Sequence, residues 1–194
     1  MDVLKKFPGL GLKSARRIAF FLLKKTPKEL NDIAQAFISL KENLYTCSIC
    51  GNITDKDPCH ICSDTLRDKK TICVVESIES LSAFEKAGIY KGVYHVLGER
   101  ISPFQNEDLS TECKKFLISH VKKAKPDEII IATNPVMEGD LTCYAVIEAL
   151  KNANVKLKKI TRLSQGLSIG SSIEFSDVVT LHTSLETRTD IDLK

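Results

Sequence analysis

Four cysteines spaced C-x2-C-x8-C-x2-C, Cys47, Cys50, Cys59 and Cys62, constrain this chain more than any other feature. Two residues between ligands let the backbone turn back so that both sulfurs of a pair reach one point. Two such knuckles complete a tetrahedron of thiolates, the geometry of structural zinc. All four positions are taken by protein, so no coordination site stays open for catalysis, and His60 lies between ligands without being needed as one. The segment is short and polar and has little to fold around except an ion. Three further cysteines remain, Cys73, Cys113 and Cys143, and Cys73, inside the apolar run TICVV, reads as a small buried hydrophobe. The start MDVLKK runs into a polar helix with no apolar leader, and no stretch is apolar for long enough to span a bilayer. The expectation is therefore a cytoplasmic protein with reduced thiols and no membrane contact.

At 194 residues and 43% hydrophobic content, the chain is long enough for one ordinary domain or two small ones. Before the cysteines, Ala15, Ile18, Ala19 and Leu22 recur at helical spacing, with PGLG as a turn and Ser14 as the expected N-cap. Thr26-Pro27 restarts the chain, and Leu30, Ile33, Phe37, Leu40 and Leu44 form a second apolar stripe. After the cysteines the pattern changes. TICVV, GVYHVL and EIIIAT are short, nearly continuous apolar runs, alternating with helical periodicity at about 78–87, 108–124 and 140–152. That alternation predicts an α/β unit over 71 to about 165, a mainly parallel sheet with helices on both faces, followed by a shorter β-rich tail at 169–181.

Charge is unevenly placed. The whole chain carries a net +3, but residues 1–44 hold nine Lys and Arg against four acids, which suggests a basic end that meets a polyanion. Within it, PGLGLKSARR sets Gly9 and Gly11 before a helix, with Lys13, Arg16 and Arg17 following. Backbone without side chains approaches a phosphate closely, and free amides and the helix dipole attract the anion. The alternative is a plain turn, and no strand precedes it as the dinucleotide fingerprint requires. A second group is acidic: Glu76 ends TICVVE, while Glu138 and Asp140 follow EIIIAT. Parallel strands would bring all three to one carboxyl edge, where they would bind a hard cation such as Mg2+; the alternative is a set of solvated loop acids.

The blocks FPGLGLKSARRIAFFLL, the four-cysteine knot, ICVVES, YHVLGERISP, IATNPVMEGD and TRLSQGLSIGSSIEFSDVVTLHTSLETR occur in an order that resembles the bacterial recombination mediator family RecR nearly end to end. The resemblance implies a helix-hairpin-helix DNA-binding unit at 1–44, a four-cysteine zinc finger at 45–66, a Toprim domain at 67–165 and a Walker-B-like segment at 166–194 containing Asp177. It implies a non-enzymatic protein of DNA repair that forms dimers or tetramers, encircles single- or double-stranded DNA without sequence preference, and works with RecO and in many bacteria RecF. By the same resemblance, these together would load RecA onto single-stranded DNA coated by SSB. By matching position, Gly9, Gly11, Lys13, Arg16 and Arg17 would face DNA, and Glu76, Glu138 and Asp140 would be the Toprim acids. The alternative within the same fold is a small magnesium-dependent Toprim nuclease; a topoisomerase would need a tyrosine nucleophile on a separate domain, for which the chain has no room. Leu12 departs from the family's usual proline, FQNEDLS replaces a glycine-rich stretch, and Ser168, Ser171 and Ser172 replace a proline and glycines.

Overall fold

The computed structural model of the chain describes residues 2–103 and 108–191, so part of the FQNEDLS segment lies outside the described residues. The chain divides into two compact units, with the boundary after Tyr45.

The first unit is helical: a short 3-10 turn (Leu4–Lys6), α1 (Leu12–Leu23) and α2 (Pro27–Asn43). α1 begins earlier than its apolar pattern suggests. Its N-cap is Gly11, with no side-chain capping bond, so the expected cap Ser14 lies inside the first turn. α2 starts where the sequence predicts, because Thr26 and Glu29 form a reciprocal capping box and Pro27 supplies a preset φ. The Lys25 ammonium, with the Thr26 amide and hydroxyl, holds the Glu29 carboxyl down to about 2. Ala15 is the one buried side chain of these two helices, and Phe7 packs on Phe37 with ring centroids 6.0 Å apart.

A two-stranded ribbon, β1 (Tyr45–Thr46) with β2 (Ile53–Thr54), begins at the boundary, and the short helix α3 (His60–Ser63) follows. A four-stranded parallel sheet follows, built from β3 (Asp68–Val75), β4 (Gly92–Val96), β5 (Glu128–Ala132) and β6 (Lys159–Arg162) in the order β4-β3-β5-β6. The intervening helices are α4 (Ile78–Ala87), α5 (Thr111–Ala124) and α6 (Met137–Asn152). Strand periodicity sorts the core into two layers. Ile72, Val74, Val93, Ile129 and Ile131 meet Leu117 and Val121 of α5 and Val146 and Leu150 of α6 on one face. Cys73, Val75, Tyr94 and Val96 meet Leu81 of α4 and the four knot cysteines on the other. The α/β expectation with both faces covered therefore holds, and the second cover is shared between a helix and the knot.

The tail differs from its β-rich expectation. Residues 169–181 contain a 3-10 turn (Ile173–Phe175) and the start of α7 (Val178–Glu186). The β-branched Val178 and Val179 read as strand, but the Asp177 carboxylate accepts from the Thr180 amide at 2.9 Å and from its hydroxyl at 2.7 Å, which starts a helix instead. Those bonds hold the Asp177 carboxyl below its ordinary value. Asp177 is thus a helix cap that follows a 3-10 turn rather than the end of a strand.

Candidate metal centre and nucleic-acid interface

The knot is assembled by backbone turns. The Gly51 amide donates to the Cys47 carbonyl at 3.0 Å and the Cys47 amide to the Asn52 carbonyl at 2.7 Å, closing the first knuckle. Gly51 has a φ of +80°, and a Cβ there would lie 2.8 Å from the Val96 carbonyl oxygen, so only glycine fits between knuckle and strand. In the second knuckle Cys59 caps α3 and Cys62 lies within it. All four cysteines are buried and free of disulfides, and their sulfurs lie within 4.8 Å of one another. Cys47 and Cys62 Sγ are 3.9 Å apart and Cys50 and Cys59 Sγ 3.6 Å. Bonds of ~2.3 Å from a tetrahedral zinc give sulfur edges of about 3.8 Å, so the residues fit a zinc ion. The Cys59 amide donates to Cys47 Sγ at 3.4 Å, a bond that favours thiolate. Hydrogen bonding to Cys62 and burial push the Cys50 thiol up, and burial pushes Cys59 up to about 11; a bound cation offsets that cost. His60 is exposed and outside the sulfur cluster, as expected.

The knot packs onto the sheet: the Val96 amide of β4 donates to the Cys50 carbonyl at 2.7 Å. Its packing partner is thus the α/β sheet of its own unit.

The acids fare differently. Glu76 follows β3 at the point where the chain turns to β4 on one side of β3 and later to β5 on the other, the switch point of such sheets. It is 5% exposed and accepts from the Asn134 amide at 3.1 Å and from Asn134 Nδ2 at 2.5 Å. α6 begins at Met137, earlier than its periodicity suggests, which puts Glu138 and Asp140 in its first turn, where negative charge suits the dipole. Asp140 pairs with Arg162 of β6. Among the described residues the four cysteines form the one cluster whose ligand atoms lie close enough together to share a metal, while Glu76 is held by Asn134 and Asp140 by Arg162. Asn134 and Arg162 supply partners that no local pattern announces. Glu76→Ala is expected to leave Asn134 without an acceptor and to cost about 1–3 kcal/mol, read as a lower urea midpoint with unchanged zinc content.

At the hairpin, Gly9 has a φ of +76°, whereas Gly11 is extended, and a Cβ at either would meet nothing within 4 Å. Only Gly9 is demanded by the backbone. The first intrahelical bond runs from the Ala15 amide to the Gly11 carbonyl, so the amides of Leu12, Lys13 and Ser14 have no intrahelical partner. Lys13 and Arg17, four apart, share one helix face, Arg16 adjoins it, and all three are exposed. Among the described residues none of the three has a carboxylate within ion-pair reach.

Comparison with known proteins agrees with this arrangement. Residues 1–40 match the family model for the RecR helix-hairpin-helix, residues 44–64 that for the RecR zinc finger domain with four cysteine ligands, and residues 70–161 that for the Toprim domain. Recombination protein RecR of Streptococcus pyogenes serotype M5 (strain Manfredo) is 43% identical over 191 residues, covering 98% of this chain and 95% of the relative. The same protein from serotype M49 (strain NZ131) and from serotype M1 matches at the same identity and coverage. A zinc knot on a parallel Toprim sheet, a basic helical hairpin and this end-to-end likeness show that the chain belongs to the RecR family of recombination proteins.

Proposed function

We propose that this chain is a non-enzymatic mediator of recombinational repair that holds DNA by its sugar-phosphate backbone. The observation that carries the reading is the start of α1, where three amides without intrahelical partners lie beside exposed, carboxylate-free Lys13, Arg16 and Arg17. Such a surface contacts phosphates and not base edges, so it takes single and double strands alike, without sequence preference. Gly9 and Gly11 keep side chains away from the strand.

Self-association into a dimer or tetramer, and with it a ring or clamp, is supported by apolar surface left open in both units. Phe20 and Phe21 of α1 are exposed, as are Leu40 of α2 and Ile169, Phe175 and Val178 of the tail. Surfaces of this kind mark contacts with other chains. Family membership supports RecO, and in many bacteria RecF, as partners in loading RecA onto SSB-coated single strands.

Lys13→Glu combined with Arg17→Glu is expected to abolish retention of a labelled oligonucleotide in fluorescence anisotropy while zinc content and circular dichroism stay unchanged. For the parent chain, log affinity falls with log salt by about 0.7–0.9 per neutralised phosphate, and either single reversal lowers that slope by about 1. Undiminished binding by the double variant, or a flat salt dependence of the parent, overturns the reading. Magnesium-dependent cleavage of DNA or RNA that disappears in Glu76→Gln would decide for the nuclease alternative.

A further inference from the structure

Beside the knot, the second unit carries a surface that the basic hairpin does not use, with the zinc ligand Cys62 in its lining. A cavity of about 280 Å³ opens between the knot, the start of β3, β4 and the end of α5. Ile49, Val93 and Ala124 give it an apolar wall, His120 forms another part, and Lys69 and Lys123 stand at its margin. Further lysines adjoin it in sequence, Lys70 on β3 and Lys122 and Lys125 at the end of α5, and the Lys70 ammonium reaches the Lys125 carbonyl at 3.3 Å. All five lysines are exposed, and among the described residues none pairs with a carboxylate. The nearby acids are occupied: Asp68 accepts from the Lys70 amide and the Thr71 hydroxyl, Asp127 pairs with Lys158 and Glu128 with Lys159.

Favourable interaction with a helix C-terminus accounts for lysines at the end of α5, but not for Lys69 and Lys70, which come from β3. The Lys69 ammonium donates one bond to the Cys62 carbonyl at 2.7 Å and so keeps donors for an outside acceptor. Apolar wall and cationic margin together select a ligand that is apolar at its centre and anionic around it. Two macromolecules answer that description. An unstacked nucleic-acid base needs an aromatic platform. The cavity has aliphatic walls, and its one ring, His120, is engaged through Nδ1 with His95 Nδ1 at 3.0 Å. A branched or aromatic side chain needs only shape and exclusion of water.

We propose that this cavity is a docking site for an acidic segment of a partner protein, which seats one bulky apolar side chain between Ile49, Val93 and Ala124 while its carboxylates meet Lys69 and Lys123. Its lining residues all belong to the second unit, and peptide binding is expected to survive Lys13→Glu with Arg17→Glu. The test uses the zinc-loaded full chain and fluorescein-labelled peptides rich in aspartate, with Phe, Leu, Ile or Met at the centre and an alanine counterpart. At least one of the four is expected to bind about tenfold or more tighter than the alanine peptide, with ~1.4 kcal/mol for each tenfold step. Its binding shifts the methyl resonances of Ile49, Val93 and Ala124. Ala124→Phe, which fills the cavity, removes the preference, and Lys123→Glu weakens binding and reduces its salt dependence. Equal affinity of all five peptides overturns the proposal, as does binding that survives Ala124→Phe with zinc retained. Should Ala124→Phe fail to hold zinc, Lys123→Glu and the methyl shifts decide alone. Oligothymidylate that shifts those same methyls, where no peptide does, assigns the surface to nucleic acid instead.

Discussion

Replacing one knot ligand, as in Cys59→Ser, is expected to empty the chain of stoichiometric zinc and to lower its thermal midpoint by ~10–20 °C. The size follows from what the knot supports. Its four sulfurs and Ile61 belong to the same buried cluster as Cys73, Val75, Tyr94 and Val96, so losing the ion removes one cover of the sheet as well as a loop. Metal binding and folding of such a knot are one equilibrium, with apparent zinc affinities of about 10–16 kcal/mol in isolated fingers, and a loss of ~5 kcal/mol corresponds to the predicted shift in a chain of this length. The released knot also uncovers the end of β4, whose Val96 amide it satisfies at 2.7 Å. An uncovered strand edge templates pairing with other chains, so light scattering should rise together with zinc loss on chelation. The zinc assignment fails if elemental analysis finds the metal undiminished in Cys59→Ser, or if the parent holds none.

The second large effect is expected in acid. His95 of β4 faces α5, where its ring packs on Phe116 with centroids 4.9 Å apart and its Nδ1 meets His120 Nδ1 at 3.0 Å. Among the described residues His95 Nε2 has no partner. One imidazole must donate and the other accept, so the bond needs at least one neutral ring and cannot survive protonation of both. Burial, with the facing imidazole second, lowers His95 to about 3; burial, with nearby Lys123 second, lowers His120 to about 4, both from 6.5. Folded values below the unfolded ones mean that the unfolded chain takes up protons first as pH falls. The pair's contribution is therefore fully present above 6.5 and is lost progressively as pH falls, down to about 4 for His120 and about 3 for His95. Each ring costs ~1.4 kcal/mol per pH unit in that window, so stability should fall by about 4 kcal/mol between pH 7 and pH 5. Urea midpoints at the two values measure it, in buffers with excess zinc. His95→Leu with His120→Leu removes both polar partners together and should flatten the profile; an equal acid loss in that double variant would refute the assignment.

Much of the site was readable because it depends on neighbours in sequence. Ligands two residues apart fold back on their own, so Cys47, Cys50, Cys59 and Cys62 specify a metal knot before any tertiary contact is considered. Thr26, Pro27 and Glu29 likewise specify a helix start within one turn. Where two local signals compete, the reading failed: Val178 and Val179 favour strand, but the Asp177 cap prevailed, and Ser14 resembled a cap although Gly11 precedes the true first turn. β6 leaves no local signal, because Lys159–Arg162 is short, half polar and meaningful only beside β5.

The amino-acid order alone thus determined the zinc ligands, the basic helical start and an alternating α/β core, since each rests on spacings of two to four residues or on runs of apolar side chains. Tertiary structure alone decided that the knot covers a sheet rather than standing apart, and that Glu76 is held by Asn134, 58 residues away. It also decided that Asp140 answers Arg162 and that two histidines 25 residues apart share a bond. Those pairings follow from strand order and register, which place distant residues within bonding distance only after β4 and β5 have settled on opposite sides of β3.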